Sequence, residues 1–247
     1  MRLYISGIKP YMDLRGLALV TGARQQRIQA YRRAEDKARC LVAGLLLRQV
    51  CGVTDDRQLV YGEHGKPYLL SRIQTGVNRE GDVFAPDKER RDMYFSIAHA
   101  GDYVILATAD TEVGVDIEKV APYEEAVAAR CFTSPEQEWM RQERRDDAFY
   151  RLWTAKESVM KAAGLGFALP PETFSVLAPI LSAAAGPSAL SGAPDAPPSA
   201  SAVPAAGRSW FLDWLVHDGH IICVASKGGG WKTGLIPVAV SDLIGGA

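Results

Sequence analysis

Asp116, Glu118, Glu157 and Lys161 are the residues of this chain whose types and spacing point most directly to chemistry. Asp116 and Glu118 lie two apart in Gly114-Val115-Asp116-Ile117-Glu118. On a strand, alternate side chains share a face, so the two acids point one way and Val113, Val115 and Ile117 the other. Two carboxylates side by side repel unless a cation lies between them. Hard oxygen donors suit Mg²⁺, which binds through a few carboxylates, waters and substrate phosphates. Glu157 and Lys161 lie in Trp153-Thr-Ala-Lys156-Glu157-Ser-Val-Met160-Lys161-Ala-Ala-Gly164. At helical spacing Trp153, Lys156, Glu157, Met160, Lys161 and Gly164 form one stripe. Leu152, Ala155, Val159 and Ala162 form a second, apolar stripe, rotated by roughly 140°. Glu157 could complete a carboxylate triad, and Lys156 and Lys161 beside it suit an anionic phosphate ligand. The plain alternatives are a polar outer strand face for Asp116 and Glu118, and a solvated Glu157–Lys161 pair worth about 0.3–0.5 kcal/mol.

Several elements must position these residues. Leu3 to Ile8 reads as an opening strand and Arg24 to Val50 as a helix, with Ala34, Ala38, Leu41, Val42, Leu45 and Leu46 at helical spacing and Gly52 as its stop. His64-Gly65-Lys66-Pro67 is a turn, and Tyr68 to Leu70 begins a strand. Tyr94 to Ala98 and Tyr103 to Ala109 read as a hairpin around His99-Ala-Gly101-Asp, and Glu112 to Glu118 as the next strand. Pro122 to Arg130 and Pro135 to Arg145 read as helices ahead of the Trp153 helix. Strands at Trp210 to Val216 and Ile221 to Ser226 flank the turn His217-Asp218-Gly219-His220. Residues 71–93 are polar and read as a surface loop, while residues 181–208, nearly all Ala, Ser, Pro and Gly, read as a mobile insertion.

A faint repeat links His99-Ala-Gly-Asp-Tyr-Val-Ile-Leu-Ala107 to His217-Asp-Gly-His-Ile-Ile-Cys-Val-Ala225, and Ala43-Gly44-Leu45 to Ala163-Gly164-Leu165. Chance remains an alternative, since any two hairpins share such a pattern. A true repeat implies two related α+β halves with a cleft between them.

The 247 residues are 47% hydrophobic and 23% charged, with net charge −1. That composition is ordinary for a globular protein and excludes bulk attraction to nucleic acid or membrane. Cys40, Cys51, Cys131 and Cys223 are scattered, which fits thiols in a reducing compartment better than a disulfide frame or zinc site. The start lacks a signal-peptide pattern and no apolar run reaches the length of a membrane span, so a cytoplasmic protein is expected.

The two charged segments, some forty residues apart, closely resemble the signature of the 4′-phosphopantetheinyl transferase superfamily: G-(I/V)-D-(I/V)-E, then W-x-x-K-E-(A/S)-x-x-K-x-x-G. The resemblance covers most of the chain and points to the surfactin-synthetase-activating type. Glu35-Asp36-Lys-Ala-Arg39-Cys40-Leu41, Gly65-Lys66-Pro67, Phe95-Ser-Ile-Ala98-His99-Ala-Gly101 and Phe132-Thr-Ser-Pro-Glu136 also resemble segments of that family. Two departures are Ala98, where the family pattern has serine, and Cys40, where relatives often carry threonine. Ile117 cannot bind metal, so a water is expected at that position.

The resemblance implies an α+β fold of two similar lobes related by a pseudo-two-fold, with a cleft between them. Residues 1–110 would form the first lobe, on the coenzyme A side, and residues 111–247 the second, with the metal and the catalytic helix. It implies a monomer that moves the 4′-phosphopantetheine arm of coenzyme A to a serine of an apo-carrier protein (acyl, polyketide or peptidyl), releasing adenosine 3′,5′-bisphosphate. Such activity belongs to fatty acid biosynthesis or secondary metabolism. Asp116, Glu118 and Glu157 would hold Mg²⁺, or Mn²⁺ in its place. Glu157 would take the serine proton, and Lys161 would serve the leaving phosphate, with Asp116 in the catalytic set. Arg24, Arg27, Lys66, His99, Lys156 and Lys161 would contact coenzyme A. An acidic carrier helix would dock near Pro122 to Arg145, where Arg141, Arg144 and Arg145 could attract it. Two other readings stay open: another Mg²⁺-dependent phosphoryl enzyme acting on coenzyme A or nucleotides, and a non-catalytic coenzyme A- or carrier-binding module. The short holo-acyl-carrier-protein synthase type is about half this length.

Overall fold

Two 18-residue helices, one per half of the chain, each pack on a four-stranded sheet. This is seen in a computed structural model that describes residues 1–70, 93–143, 146–184, 202–228 and 234–244. The first half contains β1 (Arg2–Gly7), α1 (Gly22–Ala30), α2 (Ala34–Cys51), β2 (Leu59–Tyr61), β3 (Pro67–Leu69), β4 (Tyr94–Ala100) and β5 (Tyr103–Ala109). The second contains β6 (Val113–Lys119), α3 (Glu125–Cys131), α4 (Ser134–Glu143), α5 (Asp146–Ala163), α6 (Leu177–Ala184), β7 (Val203–Ala205), β8 (Arg208–His217), β9 (His220–Ser226), β10 (Leu235–Pro237) and α7 (Val240–Ile244).

The sheets run β10-β1-β5-β4 and β6-β9-β8-β7. Strand, long helix, hairpin is the order in both halves, and β1, β5, β4 correspond to β6, β9, β8. The repeated hairpin is therefore real: the turns around Gly101 and Gly219 occupy equivalent places, and each glycine has positive φ. The Ala-Gly-Leu match is not, because Gly44 is inside α2 and Gly164 lies past the end of α5. The architecture is α+β with two similar lobes.

Each helix covers the outer face of its own sheet. Leu41, Leu45 and Leu46 of α2 pack with Val104, Leu106 and Phe95, and Leu152, Ala155 and Val159 of α5 pack with Leu212, Ile221 and Cys223. Burying each leucine stabilises by roughly 1.5–3 kcal/mol. Between the sheets a third core joins Leu3, Ala98, Ile105 and Ala107 to Val113, Val115, Ile117, Ile222 and Val224. Across this seam the Val115 N–H donates to Ser96 Oγ at 3.0 Å.

Three expectations need correction. The helix expected from Arg24 to Val50 is two helices, with extended backbone at Tyr31 and Arg33. The break folds α1 back onto α2: a Cβ at Gly44 would lie 2.3 Å from Arg24 Cδ. In one straight helix those residues would lie about 30 Å apart. Second, the chain from 111 to 247 is not all second lobe. β10 pairs in parallel with β1 and α7 packs on the core of α2, so the C-terminal elements complete the first lobe. Third, the Ala/Ser/Pro-rich stretch has structured ends, since residues 177–184 form α6 and residues 203–205 form β7. Its middle, 185–201, lies outside the described residues, as do residues 71–92 of the expected polar loop.

Candidate active site

β6 and α5 build the site because glycine lets them touch. A Cβ at Gly114 would lie 2.0 Å from Ser158 O and 2.4 Å from Ala162 N. Strand alternation then turns Val113, Val115 and Ile117 into the core between the sheets, while Gly114, Asp116 and Glu118 share the opposite face, against α5. α5 is buried almost all round, which its charge pattern did not suggest: Thr154, Lys156 and Ser158 are all 0% exposed.

Lys161 Nζ lies 2.6 Å from Asp116 Oδ1 and 4.0 Å from Glu157 Oε2. The other oxygen of Asp116, Oδ2, is buried and has no hydrogen-bond partner. Burial pushes the Asp116 carboxyl above its ordinary range, against the pull of Lys161. Glu118 is pushed up to about 7, by burial and then by Asp116; Lys161 and an indole N–H donated by Trp153 oppose the shift. Glu157 is raised by burial and by Asp116, with Lys161 again opposing. Burial lowers the Lys161 ammonium pKa, but Asp116, Glu157 and Glu118 together raise it further, so it stays charged. The four residues thus form one coupled cluster. Among the described residues, no three His, Cys, Asp or Glu side chains stand as a ready-made metal cluster.

The expected coenzyme A contacts divide. His99 is exposed on β4, and crowding by the surrounding protein, then Arg39, holds its imidazole below the usual range. Lys161 contributes to that shift, so His99 lies within the field of the cluster. Arg24 donates to Cys40 O at 3.2 Å, and both Arg24 and Arg27 act on the Cys40 thiol, which burial raises overall. These two arginines therefore lie beside the middle of α2, at Cys40.

Lys156 and Lys66 are placed differently from expectation. Lys156 points away from Glu157 into the core, 2.9 Å from Glu136, and donates to Pro171 O at 2.7 Å and Phe174 O at 2.6 Å. Glu136 also accepts from Thr133 N and Val176 N at 2.8 and 2.7 Å. Neighbouring helix positions lie about 100° apart, so Lys156 and Glu157 leave the helix in different directions. Lys66, 9% exposed, donates to backbone carbonyls rather than standing free for a phosphate. Of the three arginines expected to attract a carrier, Arg141 is paired with Glu138, and 144–145 lie outside the described residues.

Sequence reasoning did not single out Arg39, which donates to Gly101 O at 2.9 Å and to Asp36 Oδ1 at 2.7 Å and so braces the His99 hairpin. It also missed the partnership of Glu136 with Lys156. Neither Pro135-Glu136-Gln137 nor Ala155-Lys156-Glu157 carries a local pattern that marks this pairing.

A family model described as the 4′-phosphopantetheinyl transferase superfamily matches residues 112–198. A 4′-phosphopantetheinyl transferase of Bacillus subtilis is 30% identical over 66% of this chain and 68% of its own length. The 4′-phosphopantetheinyl transferase gsp of Aneurinibacillus migulanus is 28% identical over 63% of this chain and 60% of its own. An L-aminoadipate-semialdehyde dehydrogenase-phosphopantetheinyl transferase of Xenopus laevis is 33% identical over 62% of this chain and 52% of its own. The matches thus span from about half to about two thirds of these relatives. Their shared name agrees with a matched region that contains both Asp116–Glu118 and Glu157–Lys161. This chain belongs to the 4′-phosphopantetheinyl transferase superfamily.

Proposed function

We propose that this chain transfers the 4′-phosphopantetheine arm of coenzyme A to a serine hydroxyl of an apo-carrier protein, leaving adenosine 3′,5′-bisphosphate. The observation that carries this reading is the coupled Asp116–Lys161–Glu157–Glu118 cluster on the β6–α5 seam, in a chain of this superfamily.

The donor set suits Mg²⁺. Asp116, Glu118 and Glu157 are hard oxygen donors close enough to act on one another electrostatically, and Asp116 keeps a buried oxygen with no hydrogen-bond partner. Asp116, Glu118 and Glu157 are the proposed ligands. They offer donors without a complete cage, as suits an ion that shares its coordination with waters and substrate phosphates. When bound, Mg²⁺ supplies charge neutralisation on the pyrophosphate.

The chain's own residues do the rest. The carrier serine oxygen forms a bond to the pantetheine-side phosphorus, and the bond from that phosphorus to the bridging oxygen breaks. Glu157, made more basic by burial and Asp116, takes the serine proton directly or through a water. Lys161, held charged by Asp116, donates to the leaving phosphate. His99, Arg24 and Arg27 contact the phosphates of coenzyme A, where a guanidinium can bind two oxygens at once. The partner is an acyl, polyketide or peptidyl carrier, docking near α3 and α4. The chain acts as a monomer in the cytoplasm; its four free cysteines fit a reducing compartment.

Equal molar yields of adenosine 3′,5′-bisphosphate and holo-carrier test the proposal. Nucleotide release without carrier modification would favour a hydrolase instead.

A further inference from the structure

Lys66 belongs to a turn of the first lobe, yet its ammonium ends in the second. The turn is closed by the Gly62 N–H donating to Lys66 O and the Gly65 N–H donating to Gly62 O, both at 2.9 Å, with Gly65 at φ +80°. From there Lys66 Nζ donates to Ala162 O at 2.8 Å and Val113 O at 3.2 Å. Ala162 follows Lys161 in α5, and Val113 opens β6 three residues before Asp116. One cation therefore bridges the two elements whose side chains form the Lys161–Asp116 pair.

The surroundings fit a brace. The Ala162 carbonyl is among the last four of α5, which have no partner further along the helix. A cation there also meets the negative end of the helix dipole. The Tyr68 ring lies 5.6 Å from the ammonium. Gly164, at φ +74°, leaves room for the whole arrangement: a Cβ there would lie 2.8 Å from Tyr68 Oη and 3.1 Å from Lys66 Cδ. Two of the three ammonium hydrogens are committed to carbonyls, and the stem is buried. Lys66 cannot reach a phosphate without undoing the brace.

We infer that Lys66 is a positioning residue for the transfer and not a ligand of coenzyme A: from the first lobe it clamps the end of α5 to the start of β6 and so sets the Lys161–Asp116 pairing. The inference rests on the transferase reading proposed above. It accounts for why Gly114, Gly164 and Lys66 converge on one seam.

The test compares wild type with Lys66→Met, and with Gly164→Ala as an independent lesion of the same seam. Coenzyme A Kd is read by calorimetry, and kcat and KM by the mass gain of an apo-carrier, at a temperature where thermal melts show each variant folded. The expected result for Lys66→Met is a kcat at least tenfold lower, with coenzyme A Kd and KM within threefold of wild type; Gly164→Ala should reproduce that split. A tenfold or larger rise in coenzyme A Kd for Lys66→Met would make Lys66 a ligand and overturn the inference. So would a kcat within twofold of wild type, which would leave Lys66 a purely structural residue. A wild-type chain that binds coenzyme A but transfers nothing would sink the transferase reading alone; the Kd ratio still decides between ligand and brace.

Discussion

Lys161 Nζ and Asp116 Oδ1, 45 residues apart in sequence, meet at 2.6 Å. Asp116 is almost fully enclosed and Lys161 is about one-third exposed, so the pair lies at the rim of a protein interior. Removing only the lysine leaves a buried carboxylate alone. Lys161→Met should lower kcat at least a hundredfold and destabilise the fold by about 3 kcal/mol, the scale of a broken buried pair. Adding Asp116→Asn should restore stability but not activity. Urea unfolding and carrier modification, measured on both variants, check this. A double variant no more stable than Lys161→Met would contradict it.

Lys156 should behave differently despite standing next to Glu157. With 0% exposure on both partners, Lys156–Glu136 joins α5 to α4 and to the 171–174 turn. Lys156→Met should cost about 3–5 kcal/mol, since Glu136 is then left unpaired in the core. Coenzyme A Kd, measured on the folded fraction at low temperature, should stay within threefold of wild type. A large rise in Kd with an unchanged melting temperature would return Lys156 to the ligand set.

Among the described glycines, Gly114 is the most closely approached. Ala at 114 would put a Cβ into the backbone of α5, where nothing flexible can yield. Overpacking of this kind costs roughly 1–3 kcal/mol. Gly114→Ala should also separate Asp116 from Lys161, so activity should fall by more than tenfold even where the protein is folded. Wild-type activity in a folded Gly114→Ala variant would show that the close approach of β6 and α5 is not needed.

Lys66 gives a pH signature. Burial, aided by Arg208 and opposed by Glu112, pulls its ammonium down from 10.5 to about 8. Between those values the unfolded chain binds a proton that the folded chain has released, so stability contributed at this site rises with pH. Below about pH 8 both states are protonated and the burial penalty is present in full. The urea midpoint of wild type relative to Lys66→Met should therefore climb from pH 7.5 to pH 10. A flat difference would show that the ammonium is not desolvated.

Much of the site was legible before any coordinates, because it depends on short-range periodicity. Period two in Val113–Glu118 fixed which face the acids share, and period 3.6 fixed which face of α5 meets the sheet. Lys156 was not legible: helical spacing groups it with Glu157 and Lys161, and only the tertiary position of Glu136 shows that it turns inward. Lys66 failed for a similar reason, since its partners are backbone carbonyls that carry no sequence signal. The return of β10 to β1 was hidden because three residues, Leu235–Pro237, give too little alternation to read as a strand. The single helix expected from Arg24 broke at Tyr31–Arg33, where no glycine or proline marks a stop.

The most direct measurement is the intact mass of several apo-carrier proteins after incubation with this chain, coenzyme A and Mg²⁺, beside Glu157→Ala as the control. The expected result is a gain of one phosphopantetheine on at least one carrier with the wild-type chain, none when Mg²⁺ is chelated, and at least a hundredfold slower gain with Glu157→Ala. Turnover by Glu157→Ala close to that of wild type would contradict it.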